Sequence, residues 1–182
     1  MKGNKQIVLV LGGARSGKST YAQRLAEQWW MKPLYLAPAE TLDQEMANRV
    51  KLHQQQRGAR WGCVEEPLDV ARVICDTAPA HDGVLLDCAT LWLTNVLLKE
   101  GEPAVRVRKQ ELLAALKNSH TGVIIVSNEV GMGIVPESSL GREFRDLQGW
   151  LNQDLATVAD VVLFIIAGLP LVLKGTLPHD RN

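Results

Sequence analysis

The sequence predicts an α/β fold: a mainly parallel β-sheet with helices on both faces. Three observations support that class. Short apolar runs alternate with stretches of helical periodicity along the whole chain, the order that βαβ units require. The runs are rich in Val, Ile and Leu without polar alternation, as strands buried on both faces are. The first run passes directly into Gly12-Gly13 and then a helical segment, the strand–turn–helix junction on which such sheets place their sites. With 182 residues, 46% of them hydrophobic, the chain can build one sizeable core, and residues 1–182 read as a single domain.

The elements follow in order. Residues 7–11 form the first strand. Residues 18–30 read as a helix, because Tyr21, Leu25 and Trp29 recur every four residues with Ala22 and Ala26 beside them. Pro33 ends that helix, and residues 34–37 make the second strand. Thr41 to Gln44 resembles a capping box, opening a helix whose stripe is Leu42, Met46 and Val50. Residues 54–58 are polar and end in Gly, so they read as a loop. Pro67 suits the first turn of a helix over 68–78. A turn over 79–83 leads to a strand over 84–88, and helices are expected over 90–99 and 103–119. Residues 123–126 form a strand that ends in Ser127-Asn128-Glu129. A long helix within 138–158 carries Phe144, Leu147, Leu151 and Leu155 on one face. Residues 161–166 are the next strand, and 171–173 a short last one.

Composition excludes several classes. Lys+Arg and Asp+Glu are both 20, so the formal charge is zero, unlike a strongly basic nucleic-acid binder. Cys63, Cys75 and Cys88 are odd in number and form no C-x-x-C pair, which argues against a disulfide framework or structural zinc. No apolar run is long enough for membrane insertion. A cytoplasmic location is expected.

The first junction carries chemistry. Gly12-Gly13-Ala14-Arg15-Ser16-Gly17-Lys18-Ser19 matches G-x-x-x-x-G-K-[ST]. Glycines let the backbone curl so that N–H groups point at phosphate oxygens, and the following helix offers its positive end. Lys18 is expected at the β- and γ-phosphates, and the Ser19 hydroxyl on Mg²⁺. This is a P-loop, so the fold is expected to be a P-loop NTPase of the RecA-like type. Asp87 ends a buried strand, where such proteins hold an acid that supports Mg²⁺; capping the helix that starts near Thr90 is its other reading. Asn128 and Glu129 close another strand, either as active-site groups or as caps of a turn.

His53 follows Met46 by seven residues, near the apolar stripe of its helix. Spacing alone suits a half-buried helix-end residue. The chemical alternative is a nucleophile, since a neutral imidazole can attack an α-phosphate and expel pyrophosphate. Arg49, Lys51 and Arg57 could offset phosphate charge nearby.

The chain resembles the bifunctional adenosylcobinamide kinase / adenosylcobinamide-phosphate guanylyltransferases of cobalamin biosynthesis. The resemblance rests on residues 12–19, the stretch 49–61 around His53, Asp87-Cys-Ala-Thr-Leu-Trp-Leu-Thr-Asn95, and Ser127-Asn-Glu-Val-Gly-Met-Gly-Ile-Val-Pro-Glu137 followed by Gly141-Arg-Glu-Phe-Arg-Asp146. It implies phosphorylation of the aminopropanol hydroxyl of adenosylcobinamide with ATP or GTP. It then implies transfer of GMP from GTP, through a covalent GMP on His53, to give adenosylcobinamide-GDP and pyrophosphate. Nucleotide contacts would fall on Gly12 to Ser19, on Ala37, Pro38 and Ala39, on Gln54, Gln55, Gln56 and Arg57, and on Glu65 and Asp87. Glu65 could accept hydrogen bonds from guanine N1–H and N2–H. Relatives carry His-His where this chain has Leu52-His53. The family also implies a homotrimer, to which Trp29, Trp30 or Trp92 could contribute unless they pack in the core. A monofunctional small-molecule kinase would share the P-loop without needing the histidine. A GTP-binding regulator would lack turnover, and no N-K-x-D string is present.

Overall fold

The computed structural model describes residues 5–38, 60–77 and 80–177. Among them seven strands make one sheet: β1 (Ile7–Gly12), β2 (Pro33–Ala37), β3 (Gly62–Glu65), β4 (Gly83–Asp87), β5 (Gly122–Asn128), β6 (Val161–Ile166) and β7 (Leu169–Lys174). The order is β3-β2-β4-β5-β1-β6-β7. Every pairing is parallel except β6 with β7. The helices are α1 (Lys18–Trp29), α2 (Val70–Thr77), α3 (Ala89–Glu100), α4 (Glu102–Asn118) and α5 (Ser139–Val158).

The uniform apolarity of the central strands reflects two cores, because successive side chains point to opposite faces. Val8 and Val10 join Leu85, Ile124 and Val126 against Ala22, Leu25, Ala26 and Trp30 of the α1 side. Leu9, Leu36, Leu86 and Ile125 face the other way, toward Ile74, Leu93, Leu112 and Leu155 of α2 to α5. Helices therefore cover both faces, as predicted. At about 1.5–3 kcal/mol for each fully buried Val, Leu or Ile, a register slip that turned either set outward would be prohibitive.

The structure adds one strand, moves one helix start and decides one alternative left open by the sequence. Residues 62–65 are a strand that the sequence does not announce: β3 lacks an apolar run, and its parallel pairing with β2 creates it. The helix expected over 68–78 begins instead at Val70. The Glu66 carboxylate accepts from the Leu68 and Asp69 N–H groups at 3.1 and 3.0 Å, and Asp69 Oδ1 accepts from Arg72 N–H at 3.4 Å. These two acids, rather than Pro67, build the helix start. Trp30 and Trp92 are core residues, each 1% exposed. The Trp92 indole donates to the Leu68 carbonyl at 2.8 Å, and a Cβ at Gly83 would collide with the Trp30 ring. The expected helix carrying Leu42, Met46 and Val50 and the loop over 54–58 lie outside the described residues. Among the described residues, no helix is long and apolar enough to cross a membrane.

Candidate active site

The site is built at the carboxyl edge of the sheet. β1 ends at Gly12, the chain turns through residues 13–17, and α1 starts at Lys18. Gly17 precedes the helix at φ 94°, with no side chain capping the first turn and no acid within it. The first-turn N–H groups of a helix have no partner inside it, so here they are available to an anion. Gly17 suits this position twice. The left-handed region favours it, and a Cβ would lie 3.2 Å from Gly168 Cα. The β6–β7 turn thus abuts the loop, and Gly168 N–H donates to the Ser16 carbonyl at 2.8 Å.

Lys18 folds back over this loop and donates to the Gly13 carbonyl at 3.0 Å. It is buried, 8% exposed. Burial holds its ammonium below the ordinary lysine range, partly opposed by Cys88 and Asp87. A desolvated cation with one carbonyl for company is primed to pair with phosphate oxygens. The Ser16 hydroxyl is buried without a hydrogen-bond partner, and such groups ordinarily have one.

Asp87, at the end of β4, accepts from the Ser19 hydroxyl on Oδ1 and from the Tyr35 hydroxyl on Oδ2, both at 3.2 Å. It does not cap α3, whose N-cap is Cys88 with no side-chain hydrogen bond; the Asp87–Cys88 peptide is cis. Ser19 and Asp87, 68 residues apart, meet because α1 starts above the end of β4. This hydroxyl–carboxylate pair beside the phosphate cradle fits a nucleotide-bound Mg²⁺, which takes few protein ligands and keeps substrate phosphates and water for the rest. Among the described residues no cluster of three His, Cys, Asp or Glu side chains competes as a metal site.

β5 lies between β1 and β4, so its end adjoins both groups. Asn128 stands opposite Gly12 in the parallel register, and Glu129 N–H donates to the Gly12 carbonyl at 3.0 Å. Asn128 N–H donates to Thr90 Oγ1 at 2.8 Å. Its carbonyl accepts from Asn152 Nδ2 at 3.0 Å.

The remaining predicted residues fall elsewhere. Ala37 and Glu65 are register partners on β2 and β3. Glu65 is exposed, whereas Pro38 is buried with its carbonyl accepting from Asn95 Nδ2 at 2.6 Å. Four strand spacings separate β3 from β1, roughly 19 Å, so Glu65 belongs to a different part of the edge from Lys18. Ala39, His53, Gln54, Gln55, Gln56 and Arg57 lie outside the described residues. Arg60 and Trp61, just beyond that stretch, both bond to Glu27 of α1. Sequence reasoning missed Tyr35, Thr90, Gln148 and Asn152 as partners of this edge. Only the Asp-to-Asn string holding Thr90 hinted at one of them.

Residues 8–173 match the family described as cobinamide kinase / cobinamide phosphate guanyltransferase. The chain belongs to this family. The family's kinase and guanylyltransferase roles in cobalamin biosynthesis make it a transferase. It is 43% identical to the "Bifunctional adenosylcobalamin biosynthesis protein CobP" of Pseudomonas aeruginosa, over 92% of this chain and 96% of the relative. It is 39% identical to the CobU protein of that description from Escherichia coli, over 92% and 99%. The Salmonella typhimurium counterpart is 40% identical over the same shares. Among solved structures, an ATPase from the type III secretion system of pathogenic bacteria superposes with TM-score 0.53 at 14% identity, over 92% of this chain and 56% of that one. That likeness concerns the fold alone, and the P-loop NTPase fold is the one predicted.

Proposed function

We propose that this cobinamide kinase / guanyltransferase family member first moves the γ-phosphoryl group of ATP or GTP to the hydroxyl of adenosylcobinamide. It then moves GMP from GTP to the resulting phosphate through His53. The observation that carries the first step is the uncapped start of α1 behind Lys18, with Ser19 and Asp87 alongside. Gly12 to Ser19 would wrap the polyphosphate, and Lys18 would turn from the Gly13 carbonyl to the β- and γ-phosphates. Ser19 and Asp87 would hold Mg²⁺, which supplies charge neutralisation on the phosphates when bound. In this chemistry nearly all of the acceleration is positioning and electrostatics.

In the second step an imidazole nitrogen of His53 attacks the α-phosphorus of GTP. The α–β bridging P–O bond breaks and pyrophosphate leaves. An oxygen of the acceptor phosphate then attacks, the P–N bond breaks, and His53 is regenerated. Glu65 would read guanine, with Ala37, Pro38, Ala39, Gln54, Gln55, Gln56 and Arg57 around the nucleotide. Its distance from Lys18 along the sheet edge supports separate positions for the two transfers.

We read the chain as one cytoplasmic domain working as a homotrimer. Exposed Leu169, Leu171, Val172 and Leu173 on the edge strand β7 support assembly, because an exposed apolar edge strand offers a contact surface. Among the described residues Cys63, Cys75 and Cys88 form no disulfide, which suits a reducing compartment.

The test is labelling with α- and γ-labelled GTP in parallel. The α label should stay on His53 as an acid-labile, base-stable adduct that His53→Ala lacks. Label from the γ position only would defeat the covalent step. Lys18→Ala should abolish the kinase reaction, and unchanged turnover would defeat the P-loop assignment.

A further inference from the structure

A kinase step needs a group to receive the acceptor's proton, and the P-loop provides none. Lys18 is a cation, and both carboxylate oxygens of Asp87 already accept hydroxyl hydrogens. The carboxylate of Glu129 stands at the end of the strand between these two. Its backbone N–H is tied to the first glycine of the phosphate loop. One carboxylate oxygen accepts from Gly131 N–H at 2.6 Å. Among the described residues no Lys or Arg forms an ion pair with it. It is half-buried, accessible to a substrate yet oriented by one neutral donor.

The backbone that carries it is fixed with unusual thoroughness. The Ser127 hydroxyl donates to Asn152 Oδ1 at 2.7 Å. Gln148 Nε2 donates to Ser127 Oγ and to Asn152 Oδ1, both at 2.9 Å. Asn152 Nδ2 and Thr90 Oγ1 then hold the two sides of Asn128. Ser127 and Gln148 are 0% exposed and Asn152 6%. Burying three polar side chains where aliphatic residues would pack is costly unless they are paired, and here every polar side-chain atom of the three except Gln148 Oε1 is bonded. What this arrangement specifies is the position of the strand end next to the phosphate loop.

We propose that Glu129 is the catalytic base of the phosphoryl transfer, with Ser127, Gln148 and Asn152 as its positioning residues. This rests on the kinase reading above. The acceptor hydroxyl oxygen attacks the γ-phosphorus, and the β–γ bridging P–O bond breaks. The nucleoside diphosphate departs, and the hydroxyl proton passes to the Glu129 carboxylate, which later releases it to water.

The experiment compares wild type, Glu129→Gln, Glu129→Asp and Gln148→Met in two assays with full-length protein. One follows phosphorylation of adenosylcobinamide by MgATP; the other follows GMP transfer from GTP to acceptor already phosphorylated. Glu129→Gln should lower kcat for phosphorylation by about 10²- to 10⁴-fold, with nucleotide KM changed by less than about 3-fold and the acidic limb of the kcat–pH profile lost. Glu129→Asp should recover part of the rate and the limb. Gln148→Met should lower kcat while keeping the limb, as displacement of an intact base would. The assignment is overturned if Glu129→Gln phosphorylates within about 3-fold of wild type, or if it loses GMP transfer to the phosphorylated acceptor by an equal factor. An active wild type with an undiminished variant sinks Glu129 alone. A wild type that transfers no phosphoryl group sinks the kinase reading itself.

Discussion

Replacing Asn152 with Leu puts the buried hydrogen-bond network behind β5 to a quantitative test. The side chain accepts two hydrogen bonds at Oδ1 and donates one from Nδ2. Leucine removes all three and strands the Ser127 hydroxyl hydrogen, one Gln148 N–H and the Asn128 carbonyl. Each buried group left unpaired costs about 1–3 kcal/mol. One loss can be recovered, because Gln148 Oε1 is buried without a partner and lies on the same amide that already reaches Ser127. Rotation of the Ser127 hydroxyl toward it leaves two orphans, one of them the carbonyl of half-buried Asn128, which puts the net destabilisation in the lower part of the summed range, at about 3 kcal/mol. At about 2–4 °C per kcal/mol for a chain of this size, Tm should fall by roughly 6–12 °C. The assay is thermal unfolding by circular dichroism or calorimetry, with Gln148→Leu and the double variant completing a cycle. The double variant should cost less than the sum of the singles, since they share a contact. A fall in Tm below about 2 °C, or strict additivity, would refute the reasoning.

Further predictions follow from other parts of the molecule. Gly83→Ala places a methyl group on the buried Trp30 ring, so stability should fall by about 1–3 kcal/mol or more; an unchanged denaturant midpoint would show that the ring has room to move. The Cys88 thiol is pushed up to about 11 by burial, with Asp87 adding to the effect. Near neutral pH Cys88 should therefore alkylate far more slowly than exposed Cys63 and Cys75, and equal rates by peptide mapping would contradict this. Lys18, lowered by burial from 10.5, binds fewer protons folded than unfolded in the window just below that value. Stability of the nucleotide-free protein should rise with pH there, and Lys18→Met should flatten the rise. Leu171→Asp with Leu173→Asp should dissociate an assembly built on β7, and light scattering that still gives a trimer would place the contact elsewhere.

Much of the architecture was legible before any coordinates. The apolar runs at 7–11, 84–88, 123–126 and 161–166 mark strands because burial on both faces leaves only one kind of residue affordable there. The Gly12–Ser19 motif declares itself because its glycines and lysine act within one turn of chain. The stripe of Phe144, Leu147, Leu151 and Leu155 reads directly as one helix face, and Leu151 and Leu155 are indeed core residues. Periodicity reports which side of an element is covered, and that is a local property.

What covers each side is a long-range matter, and there tertiary structure decided. Strand order put β5 between the P-loop and Asp87, and so gave Glu129 its place beside Gly12. It also moved Glu65 to the far end of the same edge. β3 exists because β2 offers it a free row of hydrogen-bonding groups, not because residues 62–65 demand extension. Trp30 and Trp92 became core residues through pockets that Gly83 and the Leu68 carbonyl supply from distant segments. The same holds for Gln148 and Asn152, which on a helix would pass for solvent-facing amides. Only packing α5 against the end of β5 buries them and gives their hydrogen bonds a purpose.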